Sequence, residues 1–166
     1  KKKVDELQGQ ENRLLMIVFS GELDKHIAAM IIATGAAAMG MKVTLFFTFW
    51  ATAALRDPKK NVKGKNFLSK MFGVMLPKGR NKTVLSNMNM AGMGTAMIKD
   101  LMKKKNVASL DELFEAAAAL GVEINICEMS MDLMGIRQEE LFDGVEAVGV
   151  ATMAAAASNS NTHFFI

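Results

Sequence analysis

The stretch Leu14-Leu15-Met16-Ile17-Val18-Phe19 is an unbroken apolar run closed by Ser20-Gly21, the pattern of a strand buried on both faces. A helix is expected from Leu23 to Met39, ended by Gly40. Val43 to Thr48 reads as a second buried strand. Two such strands joined through one helix imply a parallel pair with a right-handed crossover. The uncharged run Ile27 to Met41 is 15 residues and rich in Ala and Gly. A membrane-spanning helix needs roughly 18 or more apolar residues, so this run is expected to be a buried helix.

The pattern weakens between Ala51 and Lys82. A short helix is expected over Ala51 to Arg56, stopped before Pro58, and a polar loop over Lys59 to Asn66. The apolar stretch Phe67 to Leu76, with Lys70 inside it, is expected to form an excursion or an inserted helical hairpin. Thr83 to Ser86 reads as a short strand, Asn87 to Gly94 as a loop and Thr95 to Lys105 as a helix. Ser109-Leu110-Asp111-Glu112 is a capping box that opens a helix ending at Leu120-Gly121. A strand follows over Val122 to Cys127, then a short helix starting near Ser130 and ending at Gly135. The last elements are a strand at Val145 to Val148, a helix at Ala151 to Ala157 and a strand at His163 to Ile166.

One internal echo supports this register. Ala36 to Phe46 and Ala117 to Cys127 both read as Ala-rich helix, Gly, strand. The alternation predicts an α/β fold. It is a three-layer α/β/α sandwich with a mainly parallel sheet of about five strands, in one domain spanning 1–166.

Composition narrows the chemistry. The 166 residues are 51% hydrophobic, enough to bury a core without metals or disulfides. The one cysteine excludes an internal disulfide framework and any CxxC pair. It points to a reducing compartment. Lys1-Lys2-Lys3 leads into polar residues, not the apolar core of a secretion signal, so the cytoplasm is expected. The net charge of +3 is unevenly spread: Arg56 to Lys82, the basic excursion, holds nine basic residues and one acid. That segment has no RNA-binding motif, and Phe67 and Phe72 look like packing residues. Basic and apolar residues mixed at Phe67 to Phe72 suit a protein contact or a membrane surface; a protein contact is favoured over nucleic acid.

In open α/β sheets, ligands bind beyond the carboxyl ends of the strands. Cys127 lies at such an end. Ser20 and Gly21, Phe49 and Trp50, and the loop with Met88, Asn89, Met90 and Gly92 are expected to emerge beside it. Ser130 and Met131 start the next helix, whose N–H groups favour the reactive thiolate. Glu128 and Asp132 oppose it, because nearby carboxylates disfavour another negative charge. An inert core thiol is the competing reading, since free cysteine is among the most buried residue types. The fifteen methionines serve as adaptable packing or as an apolar mouth around the sulfur. His26 and His163 cannot be paired with Cys127 from sequence and are expected to be structural or solvent-facing. Gly92-Met93-Gly94 lacks the third glycine of a dinucleotide fingerprint. No metal site and no cofactor is indicated.

Five blocks occur in order: Phe46-Phe47-Thr48-Phe49-Trp50; Leu85-Ser86-Asn87-Met88-Asn89-Met90-Ala91-Gly92-Met93-Gly94-Thr95; Cys127-Glu128-Met129-Ser130-Met131-Asp132-Leu133-Met134-Gly135; Asp143-Gly144-Val145-Glu146; and Gly149-Val150-Ala151-Thr152. Together they make the chain resemble the DsrE/DsrF-like sulfur-relay family, in the branch loosely labelled peroxiredoxin-like. The resemblance covers the chain from Arg13 onward. It implies an α/β/α fold, assembly as a trimer or hexamer, sulfur-donor and sulfur-acceptor proteins as partners, and a cysteine that carries sulfane sulfur. Carried over, that cysteine is Cys127. The peroxiredoxin label fits poorly, because neither a Thr-x-x-Cys motif nor a resolving cysteine is present. Ala51-Thr52-Ala53-Ala54-Leu55 departs from the family's usual stretch in being blander. The alternative function is a non-catalytic adaptor, oligomeric or held at a membrane surface, with a structural Cys127.

Overall fold

The computed structural model describes residues 12–62 and 67–166. The three N-terminal lysines and part of the expected 59–66 loop lie outside the described residues. Five strands form one sheet: β1 (Arg13–Val18), β2 (Lys42–Phe47), β3 (Glu123–Cys127), β4 (Val145–Val148) and β5 (Thr162–Phe165). Their order is β4-β3-β2-β1-β5, and every pairing is parallel. β1 is an interior strand between β2 and β5 and is apolar after Arg13, with Leu14, Leu15, Met16 and Val18 buried. That is why its sequence shows no alternation.

The helices are α1 (Leu23–Ala38), α2 (Phe67–Met75), α3 (Met93–Lys104), α4 (Leu110–Ala119), α5 (Glu128–Met134) and α6 (Val150–Ser158). The steps β1 to β2, β2 to β3 and β3 to β4 move one way across the sheet, and β4 to β5 moves back. Right-handed crossovers therefore place α6 on the face opposite α1 and α4, completing three layers. Helices α1 and α4 pack on each other. Helix α1 buries Leu23, His26, Ala29, Met30, Ala33 and Ala36, a stripe at three- and four-residue spacing. The expected capping box is formed: the Ser109 hydroxyl accepts from Glu112 N at 3.3 Å, and Ser109 N donates to the Glu112 carboxylate at 2.7 Å.

Four expectations change. The uncharged run after Ile27 is buried on one face only, with Ile31 and Ile32 exposed on the other. Thr83 to Ser86 is not a strand, because its backbone groups are spent elsewhere. Val84 O accepts from Leu23 N at 2.8 Å, Leu85 N donates to Thr95 Oγ1 at 3.0 Å, and Ser86 N donates to Asp24 at 2.8 Å. In place of a helical hairpin, the described residues carry the single helix α2. The helix expected near Ser130 begins two residues earlier, at Glu128, with Cys127 itself as its N-cap residue.

The basic excursion is held by residues far along the chain. Arg56 is buried and its guanidinium meets Glu140 at 3.3 Å. Lys60 meets Asp143 at 2.7 Å. The Arg80 guanidinium lies between two rings, 4.0 Å from the centroid of Phe114 and 3.9 Å from that of Phe142. Much of the segment's charge is thus structural.

Candidate functional site

β3 ends at Cys127, in register with Val148 of β4, and Ile126 is in register with Phe47 of the neighbouring β2. The chain leaves β2 through Thr48, which lies beside the start of α5. The Thr48 and Ser130 hydroxyls are 2.9 Å apart, and Phe49 N donates to Ser130 Oγ at 3.1 Å. Both hydroxyl residues are buried. Buried hydroxyls need partners, and here each has the other, beside Cys127.

Cys127 is only 5% exposed. Burial by itself pushes its thiol pKa up. The Ser130 hydroxyl, Ser130 N–H, Thr48 hydroxyl and Met129 N–H pull it down, and the net shift is below the ordinary cysteine value. Polar groups of this kind beside a sulfur favour the thiolate over the thiol. Ser130 Oγ also accepts from Phe49 N–H; the Thr48–Ser130 pair spends one of its two hydroxyl protons between the oxygens, which leaves one for the sulfur. Glu128 and Asp132, expected to oppose ionisation, are both exposed and are not among the groups that set the sulfur's state.

Residues Phe49–Leu55 form a 3-10 helix, with Ala51 to Leu55 all buried. This explains the blandness of that segment. It packs on α5, and only small side chains let the backbones come this close. Thr52 Oγ1 donates to Phe49 O at 2.5 Å and meets Met134 Sδ at 3.7 Å. Phe49 itself has a φ of +46°, a strained value for a bulky residue. It is held there from three sides: its N–H by Ser130, its carbonyl by Thr52, and its ring by Phe19 at 5.3 Å between centroids. The strain aims the Phe49 N–H at Ser130.

The expected neighbours fall into two groups. Ser130 and Phe49 share a hydrogen-bonded cluster beside Cys127, and Met131 is buried in the adjoining core. Thr48, read from sequence only as a strand end, belongs to the same cluster. Its sole signal was its place as the last residue of the run before Phe49. The second group lies on the β1 side. Ser20 accepts from Lys25 at 3.3 Å. Gly21 abuts Trp50, so that a Cβ at Gly21 would sit 2.9 Å from Trp50 O. The loop with Met88, Asn89, Met90 and Gly92 is moored to the start of α1 through Ser86 and Asp24. Within that loop Met88, Met90 and Ala91 all have positive φ, as does Gly92. Gly94 passes so close to Met88 O that a Cβ would collide with it. Asn89 braces the turn by accepting from Thr95 Oγ1 at 2.7 Å and from Gly94 N at 3.0 Å. The result holds Met88 and Met90 outward, 74% and 62% exposed.

The sequence profile of the DsrE/DsrF/DrsH-like family matches residues 10–165. The chain belongs to that family. It is 47% identical over 157 residues to YrkE of Bacillus subtilis, covering 95% of this chain and 98% of that protein. It is 34% identical over 161 residues to the sulfur carrier protein DsrE2 of Allochromatium vinosum, covering 95% and 99% respectively. Among solved structures, the ychN protein of E. coli superposes with a TM-score of 0.55 over 93% of this chain and 99% of that one. At 12% identity this likeness concerns the fold alone. The DsrE/DsrF/DrsH-like fold thus frames a single cysteine that no cluster of metal ligands accompanies among the described residues. No helix among them is long and apolar enough to cross a membrane.

Proposed function

We propose that this protein is a sulfur carrier that holds sulfane sulfur as a persulfide on Cys127 and passes it to an acceptor thiol. The observation that carries the reading is the hydrogen-bonded Thr48–Ser130 hydroxyl pair at the strand end and helix start beside Cys127, which together with the N–H groups of Met129 and Ser130 holds the thiol below its ordinary range. Family membership and the similarity to a sulfur carrier support it.

The chemistry balances without an outside redox partner. The Cys127 thiolate attacks the outer sulfur of a donor persulfide R–S–SH. A new S–S bond forms at Cys127, the donor S–S bond breaks, and R–S⁻ leaves. An acceptor thiolate then attacks the terminal sulfur of Cys127–S–SH and regenerates the Cys127 thiolate. Rates of such exchange depend on thiolate fraction and on access. The donor cluster supplies the first, and the depth of Cys127 restricts the second, guarding the persulfide from stray thiols. In this reading Trp50, Met88, Met90 and Met129, all exposed, form the apolar edge against which donor and acceptor proteins dock.

The working unit in this reading is a homo-oligomer. Helix α6 has the apolar sequence Val-Ala-Thr-Met-Ala-Ala-Ala-Ala-Ser, yet none of its residues is buried within one chain. The adjacent edge strand β5 leaves Phe165 69% exposed. A contiguous apolar surface of this kind marks a contact with another chain.

Intact-mass spectrometry after incubation with polysulfide tests the central step. The expected result is the gain of one sulfur atom, reversed by reductant and lost in Cys127→Ser. A protein that stays unmodified under conditions that load a known carrier overturns the proposal and leaves the adaptor reading standing.

A further inference from the structure

A concavity lies away from the thiol cluster, with none of Thr48, Cys127 or Ser130 in its lining. It has a volume of about 700 Å³ and sits between α1, the 3-10 turn Arg80–Lys82, the end of α3 and the start of α4. Its walls are of two kinds. Leu23, Met102 and Leu110 are apolar, while Arg80, Lys99 and Lys103 bring three cations to the same space.

These charges are poorly neutralised from within. Lys99 and Lys103 are four residues apart on α3, an arrangement of like charges that destabilises a helix. Among the described residues neither forms an ion pair, whereas their neighbour Lys104 pairs with Asp100 at 2.7 Å. The Lys99 ammonium donates to Asn81 O at 2.9 Å, a neutral partner. Burial holds Lys99 below the usual lysine range; Asp111 draws it back and Lys82 adds to the fall. Of the nearby acids, Asp111 faces Arg80 at 3.8 Å and Glu112 is committed to the Ser109 cap. Arg80 Nε is buried without a partner. The volume matches a small-molecule site, and the mixture of apolar walls with a few charged groups is the usual make-up of one.

We propose that this cavity binds a small organic anion, an acidic group carried on an apolar skeleton, with Lys99 and Lys103 holding the charge and Leu23, Met102 and Leu110 the skeleton. Binding relieves the repulsion between the two lysines, which a neutral ligand of the same shape does not. The site is independent of sulfur transfer at Cys127, so either reading survives failure of the other.

The test compares the anionic dye 8-anilinonaphthalene-1-sulfonate with uncharged N-phenyl-1-naphthylamine. Binding to the full chain is followed by fluorescence, and the site is mapped by amide chemical shifts. The anion is expected to saturate one site, with shifts centred on residues 99–112. Lys99→Gln/Lys103→Gln should weaken the anion at least tenfold and leave the neutral dye unchanged. Ala108→Trp, which fills the cavity while keeping its charge, should abolish both. Circular dichroism verifies that each variant is folded. Equal affinity of wild type and the double lysine variant for the anion, or shifts centred elsewhere, overturns the proposal.

Discussion

Thr48 and Ser130 are separated by 82 residues in sequence, and their hydroxyl oxygens lie 2.9 Å apart at the sulfur of Cys127. One directly follows β2 and the other lies in the first turn of α5. The parallel pairing of β2 with β3 is what brings them together. The sheet therefore fixes where the two hydroxyls meet.

Removing either hydroxyl should make Cys127 a weaker acid. Thr48→Val and Ser130→Ala keep shape and delete one donor each. A hydrogen bond to a charged group contributes ~1.5–3 kcal/mol. Alkylation by iodoacetamide at pH 7 should accordingly slow by roughly tenfold, with the rate recovering at high pH as the thiol ionises. Ser130→Ala should have the larger effect, since Ser130 also anchors Phe49 N. An unchanged pH profile in both variants would show that the hydroxyls do not govern the thiolate.

The sequence exposed this site unevenly, and the reasons are physical. Cys127 was legible because a strand-helix junction follows from apolar patterning alone. The five strands, the capping box at Ser109 and the ends of β4 at Val145 and Val148 follow from the same local rules. Thr48 was not legible as a site residue, because its role depends on which strand neighbours β3, and register between distant strands leaves no local trace. The mistaken strand at Thr83 to Ser86 has the opposite cause. Its residues have strand propensity, but Asp24 and Thr95 capture its N–H groups. His26 also needed the fold: its ring is fully buried against Phe47, 6.0 Å between centroids, with neither nitrogen hydrogen-bonded among the described residues.

That histidine makes stability depend on pH. Burial pushes the pKa of His26 down to about 4 from an ordinary 6.5, opposed by Asp24. Between those values the unfolded chain holds a proton that the folded chain refuses. Stability therefore rises with pH through this window and falls as pH drops from 6.5 towards 4. The loss amounts to about 3 kcal/mol when complete. His26→Leu should abolish this component, so urea denaturation of wild type and variant should diverge progressively below pH 6.5. Parallel stability curves would mean that His26 finds a proton acceptor when it charges.

The α6–β5 surface makes a prediction about assembly. Val150→Glu places a carboxylate where an apolar partner surface is proposed, at a side chain that is 67% exposed. Fold and thermal stability of the isolated chain should change little, because exposed substitutions are usually worth within about 0.5 kcal/mol. The particle mass by light scattering at micromolar concentration should drop from oligomer to monomer. A wild-type chain that is already monomeric there would remove the basis for an oligomeric working unit.

Met90→Glu asks whether the strained loop reaches the sulfur. Met90 has a φ of +46° and is exposed, on a loop moored to α1 on the β1 side of the sheet. Two strand positions separate β1 from β3 in the order β4-β3-β2-β1-β5, so the loop must lean across β2 to border Cys127. If it does, a carboxylate at residue 90 raises the thiol pKa by like-charge repulsion and lowers the thiolate fraction at neutral pH. Sulfur loading from polysulfide should then slow several-fold at low salt and recover as salt screens the charge. Loading from a donor protein should slow further, because the substitution also removes an apolar docking contact. Since Met90 makes no core contact, the variant should fold as the wild type does. Equal loading rates from polysulfide at low salt, combined with slowed loading from a protein donor, would assign the loop to docking alone. Equal rates from both would remove Met90 from the site.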